Sequence, residues 1–104
     1  MNVIEHLLTT LAEECNEVAK DVSKALRFGV QDIEPGKTMT NSDRIVAELV
    51  EVMAMAEMLE EAGVIAMPKQ PEMRSLMTAK KVRVQRFMEY ARQKGTLIAD
   101  TGEA

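Results

Sequence analysis

Two groups of carboxylates stand at spacings that could do chemistry: Glu13, Glu14 and Glu17 in the run EECNE, and Glu48 and Glu51 in ELVE. Residues three or four apart share one face of a helix, so Glu14 would pair with Glu17 and Glu48 with Glu51 if each run is helical. Two such helices lying antiparallel would bring four carboxylates toward one point. An all-oxygen donor set of that kind is what a hard cation takes. The competing reading is a solvated face, because acidic residues on an amphipathic helix most often serve only to meet water.

Position around the helix bears on that choice. At roughly 100° per residue, the apolar stripe of the first helix runs through Ile4, Leu7, Leu8, Leu11, Cys15, Val18, Val22, Ala25 and Leu26. Glu14 falls about 70° from its centre, with Thr10, Glu17 and Asp21 just beyond. The second stripe is Ile45, Leu49, Val52, Met53, Ala56 and Leu59. Glu48 again lies about 70° from the centre, one heptad before Met55. Both clusters are therefore expected at the edge of a core, whereas Glu57, Glu60 and Glu61 are rotated farther out and read as rim charges. Like charges at these spacings destabilise a helix by about 0.2–0.5 kcal/mol when exposed, and by more beside apolar groups. A bound cation would offset that.

Three helices are needed to position these groups. The first is expected from about Asn2 to Phe28, ended by Gly29. A polar segment, Val30 to Thr40, carries the turn signal Pro35-Gly36 and is long enough to be expected as a mobile loop. Asn41 or Ser42 can cap the second helix, which should run to about Ala62 before Gly63. Pro71 suits the first turn of a third helix ending near Lys94, ahead of Gly95. The reading is an all-α, antiparallel helical bundle forming one domain over residues 1–104, with 96–104 a frayed tail. The three stripes expose more apolar surface than one subunit can cover, so completion by oligomerisation, as a dimer or tetramer, is expected.

Composition narrows the partners. The chain has 104 residues, 46% of them hydrophobic and 29% charged, which suits a globular protein. A formal net charge of -4 disfavours a nucleic-acid polymer as partner, since no basic patch outweighs the acidic helices. Cys15, the single cysteine, allows no intrachain disulfide and is expected as a buried thiol on the apolar stripe. No basic segment precedes an apolar run at the N-terminus and no stretch approaches bilayer length, so neither secretion nor membrane contact is expected and a reducing cytoplasm fits best.

One residue interrupts the third stripe. Met73, Leu76, Met77, Val84, Phe87, Met88 and Ala91 line one side of that helix, and Lys80 falls near its middle. Its stem could pack while its ammonium snorkels to water. Alternatively the ammonium could reach the carboxylates or a phosphate bound there.

The runs HLLTTLAEECNEVAKDVSKALRFG, NSDRIVAELVEVMAMAEML and KKVRVQRFMEYARQKGTL together resemble the MazG-like all-α nucleoside triphosphate pyrophosphohydrolases, in particular the short phage and bacterial type. The family motif is EExxE followed one helix later by ExxD. EECNE matches at Glu13, Glu14 and Glu17, and ELVE matches at Glu48, but Glu51 stands where the family has aspartate. The extra methylene carries that carboxylate outward by one carbon–carbon bond, which alters the fit to an ion that demands near-ideal octahedral geometry. The resemblance implies cleavage of a nucleoside triphosphate between the α- and β-phosphates. Mg²⁺, with Mn²⁺ as an alternative, would be held by Glu14, Glu17, Glu48 and Glu51. Glu13 is the candidate to position or deprotonate the attacking water, and Lys24 and Arg27 become candidate phosphate contacts, although cations also suit a helix C-terminus for its dipole alone. His6 and Phe28 are candidates to meet the base.

Two other classes compete with that expectation. A di-iron bundle needs Glu-x-x-His pairs, and His6, the single histidine, is in none. A helical oligomerisation or interaction module without chemistry is the stronger rival, with the carboxylates as rim charges.

Overall fold

The computed structural model describes residues 1–98, and the expected tail lies outside the described residues from residue 99 onward. The fold is all-α, with three helices among the described residues: α1 (Val3–Phe28), α2 (Asn41–Glu61) and α3 (Glu72–Lys94). Among the described residues the β-type pairing is confined to an isolated antiparallel bridge between Ile33 and Thr40.

Local chemistry sets the helix ends. Asn2 caps α1 reciprocally: its side chain accepts from the Glu5 N–H at 2.8 Å while its own N–H donates to the Glu5 carboxylate at 3.5 Å. Thr40, and not the expected Asn41 or Ser42, caps α2 through its hydroxyl oxygen, which accepts from the Asp43 N–H at 3.0 Å. At the far end of α2, Gly63 takes a φ of 75°. The chain can then reverse so that the Val64 N–H donates to the Leu59 carbonyl at 2.9 Å. That geometry swings Val64 back onto the core beside Leu59.

Residues Met1–Met67 form one compact unit and a second begins at Pro68. The first unit is an antiparallel hairpin of α1 and α2, since Leu7 near the start of α1 packs with Met55 and Leu59 near the end of α2. Leu11, Val64 and Ile65 cover that cluster. Leu59 is fully buried, a burial worth about 1.5–3 kcal/mol for a side chain of its kind.

The contact between the helices follows a heptad seam. On α1 the line runs through Leu7, Leu11, Glu14, Val18, Asp21 and Ala25, with Thr10, Glu17 and Lys24 also half-buried to one side of it; on α2 it runs through Asn41, Ile45, Glu48, Val52, Met55 and Leu59. Successive members alternate four and three apart, so each set stays within about 40° of one line down its helix. The seam is apolar at one end, and along the rest Glu14, Asp21, Asn41 and Glu48 are interleaved with Val18, Ala25, Ile45 and Val52.

This line is rotated from the expected stripes, and several expectations change with it. Cys15 is exposed rather than buried, because it projects about 80° from the seam. Ile4, Leu8, Val22 and Leu26 on α1 are likewise exposed, as are Leu49 and Met53 on α2. A two-helix contact buries one narrow line, whereas the sequence carries apolar residues over a much wider arc.

The second unit contains α3, which closes on Gly95 in the left-handed conformation with φ 78° and has no buried residue. Lys80 is exposed.

Candidate metal centre

Glu14 on α1 and Glu48 and Glu51 on α2 converge, with one carboxylate oxygen from each within 4.8 Å of the others. Their positions follow from the seam. Glu14 and Glu48 occupy equivalent places in the two heptads and are half-buried, while Glu51, one turn beyond Glu48, is exposed and closes over the pair from the rim.

The electrostatics of the trio are those of crowded like charges. Glu14 is pushed up to about 7, first through hydrogen bonding with Glu51 and Glu48 and then through partial burial and their negative charge. The hydrogen bond shared with Glu14 favours the charged form of Glu48. Burial, Glu51 and the charge of Asp21 outweigh it, and Glu48 also sits above its ordinary value. One oxygen of Glu48, Oε2, is buried with no hydrogen-bond partner. A buried carboxylate oxygen without a partner, on a residue crowded by two other carboxylates, is costly without a cation and well suited to one. The donors are all oxygens, as Mg²⁺ or Mn²⁺ prefers. The residues present therefore fit a hard divalent ion.

The other sequence-derived candidates are placed less directly. Glu17 is half-buried on α1 and stands outside the close trio, while Glu13 is exposed. At about 80° and 120° from the seam, neither is carried to the helix contact as Glu14 is. Lys24 is half-buried and bonds Glu34 Oε1 at 2.9 Å. Arg27 is exposed, its guanidinium 5.1 Å from the centroid of the Phe28 ring. Lys80 lies on α3, in the second unit.

Asp21 is the residue the motif reading passed over. Only 1% exposed, it sits in the seam one heptad beyond Glu14. Its Oδ1 has no hydrogen-bond partner and lies 3.5 Å from Nε of Arg44. The signal was its spacing: Glu14, Glu17 and Asp21 at i, i+3 and i+7 trace one side of α1.

The segment joining the helices is tied to this end of the hairpin. Buried Asn41 donates from Nδ2 to the Gly29 carbonyl at 2.9 Å, and its N–H donates to the Asp32 carbonyl at 2.9 Å. Ser42 N–H donates to the Val30 carbonyl at 2.8 Å. Pro35 and Gly36 form a tight turn closed by Lys37 N–H to Glu34 carbonyl, 2.9 Å, for which Gly36 supplies a φ of 84°. The expected open loop is thus a pinned strap. It holds Glu34 over Lys24 and Arg44, and the hydrogen bond from Lys24, followed by its charge, keeps the Glu34 carboxyl below its ordinary value.

No helix among the described residues is long and apolar enough to cross a membrane. No family model, curated protein or solved structure matches the chain.

Proposed function

We propose that this chain is a Mg²⁺-dependent nucleoside triphosphate pyrophosphohydrolase of the MazG-like all-α type, releasing a nucleoside monophosphate and pyrophosphate. The observation that carries the reading is the convergence of Glu14, Glu48 and Glu51, one of which, Glu48, also has a buried oxygen without a hydrogen-bond partner. Those three residues hold the ion, and Mn²⁺ is an alternative occupant. When bound, the ion would neutralise phosphate oxygens and lower the pKa of a water molecule.

The roles of the protein groups follow from charge and position. With its carboxyl raised to about 7, Glu14 is part-protonated at neutral pH, so loading the ion displaces a proton from it. Glu17, half-buried one turn further along α1 but outside the close trio, would join the ligand set when the ion is bound. Exposed Glu13 is free to accept a proton from the attacking water on the solvent side. Lys24 and Arg27, on the last two turns of α1, supply positive charge toward the phosphate chain.

One observation favours a second reading, a helical interaction module. Leu8, Leu26, Leu49 and Met53 leave apolar surface open on both helices of the hairpin. A homo-oligomer would cover such surface and is compatible with either reading. The deciding experiment is a panel of canonical and modified nucleoside triphosphates assayed with Mg²⁺ and with Mn²⁺ for pyrophosphate release. Monophosphate and pyrophosphate in equal amounts from at least one member support the enzyme. Orthophosphate alone, or no turnover across the panel, overturns it in favour of the module.

A further inference from the structure

Beside the carboxylate trio lies a cavity of about 210 Å³ lined by Lys37, Thr38, Met39, Arg44, Ala47 and Glu48. One wall is Glu48, a member of the metal centre; the opposite character comes from two cations. Among the described residues, Lys37 has no carboxylate within salt-bridge distance, and the guanidinium of Arg44 makes no hydrogen bond. Its two ion pairs are long, 3.5 Å to Asp21 Oδ1 and 3.9 Å to Glu34 Oε2, against about 2.7–2.9 Å for a charge-assisted hydrogen bond. A half-buried guanidinium with five donors and no close acceptor is poised for an anion that is not part of the chain.

We propose that this cavity takes phosphate groups of the metal-bound nucleotide through Arg44 and Lys37, and that Glu34 is an internal anion that competes with them for Arg44. The inference rests on the metal centre proposed above, because Glu14, Glu48 and Glu51 would repel a phosphate from the neighbouring cavity without a cation. Arg44 sits one turn before Glu48 on α2, so a phosphate chain whose oxygens reach the ion meets the guanidinium on the same helix face. The strap fixes the competitor. Glu34 opens the Pro35–Gly36 turn and divides its oxygens between Lys24 at 2.9 Å and Arg44 at 3.9 Å. Phosphate presents more negative charge and three acceptor oxygens to the same guanidinium. Binding therefore releases Arg44 from Glu34 while the tighter Lys24 pair keeps the strap in place.

The test is calorimetric titration of the full chain with inorganic pyrophosphate, with and without Mg²⁺, comparing wild type with Glu34→Gln, Lys37→Met and Arg44→Gln. A glutamine at position 34 retains an oxygen for Lys24, so the strap keeps its anchor. Pyrophosphate should then bind roughly two- to fivefold more tightly, the worth of releasing one part-exposed ion pair. Lys37→Met should weaken it by a similar factor, and Arg44→Gln by roughly tenfold or more. Lys37 is exposed, so its variant remains informative should Arg44→Gln, which strips the partner of buried Asp21, fail to fold. Unchanged or weaker binding to Glu34→Gln overturns the inference, as does absence of pyrophosphate binding to every folded chain. Titration with Mg²⁺ alone separates the two readings. If wild type takes up no Mg²⁺, the metal centre fails and this inference with it; Mg²⁺ uptake by wild type with pyrophosphate binding that is the same in all the variants overturns the pocket alone.

Discussion

Glu14 and Glu48 face each other across the hairpin from equivalent heptad positions, so two carboxylates occupy places in the seam where a coiled pair of helices would ordinarily put leucine. Glu51 lies close enough to both that an oxygen from each of the three falls within 4.8 Å of the others. An arrangement this unfavourable in the metal-free chain makes its response to cations and protons measurable.

Replacing Glu48 with glutamine should raise the melting temperature of the metal-free protein, because one of three crowded charges is removed. The same change should abolish the rise in melting temperature that Mg²⁺ gives wild type, a rise expected whenever a ligand binds only the folded state. Thermal melts of both chains with and without Mg²⁺ check this. Equal Mg²⁺ responses would exclude Glu48 as a ligand.

Stability should depend on pH in a defined direction. The Glu14 carboxyl titrates at about 7 in the folded chain against 4.5 as its ordinary value, so the folded state holds a proton that the unfolded state has already released. The contribution is fully present below about pH 4.5 and is lost as pH rises through about 7. Chemical denaturation of the metal-free protein across this range should show the decline, and Glu14→Gln should flatten it. With saturating Mg²⁺ the stability gained from the ion should grow over the same interval, since the ion takes the deprotonated form.

Glu51 tests the geometry of the donor set. Glu51→Asp shortens the side chain toward the family pattern and should retain Mg²⁺ binding with turnover equal to or above wild type. Glu51→Gln should weaken Mg²⁺ binding roughly tenfold or more, since it removes one charged oxygen donor. Metal titrations that cannot distinguish Glu51→Gln from wild type would remove the residue from the centre.

The apolar end of the hairpin should carry most of its packing stability. Leu59→Ala is expected to cost about 2–5 kcal/mol, because Leu59 is fully buried among Leu7, Met55, Val64 and Ile65. Denaturant unfolding gives the value. Leu26→Ala, at a side chain 83% exposed, should change it by less than about 0.5 kcal/mol in the monomer. A larger loss at Leu26 that depends on protein concentration would place that residue in a contact between copies of the chain.

What the sequence determined by itself is local. Helix bounds were legible to within a residue or two because caps and terminators act locally: Asn2 bonds Glu5, and Gly63 and Gly95 supply the positive φ at which α2 and α3 end, while the cap of α2 fell on Thr40 and not on the expected Asn41 or Ser42. The carboxylate spacings were equally plain, since i, i+3 and i+7 positions share a side of any helix. Which side would be buried was not. Apolar residues on α1 span an arc wide enough to allow several contact lines, and only the pairing of two helices selected Leu7, Leu11, Glu14, Val18, Asp21 and Ala25. That choice exposed Cys15, separated Glu17 from the trio and buried Asp21 beside Arg44. The strap shows the same division: Pro35-Gly36 announced a turn, but the anchoring of Glu34 by Lys24 joins residues that meet only after the chain has reversed between α1 and α2. Burial and ion pairing depend on distances between elements, and tertiary packing alone sets those.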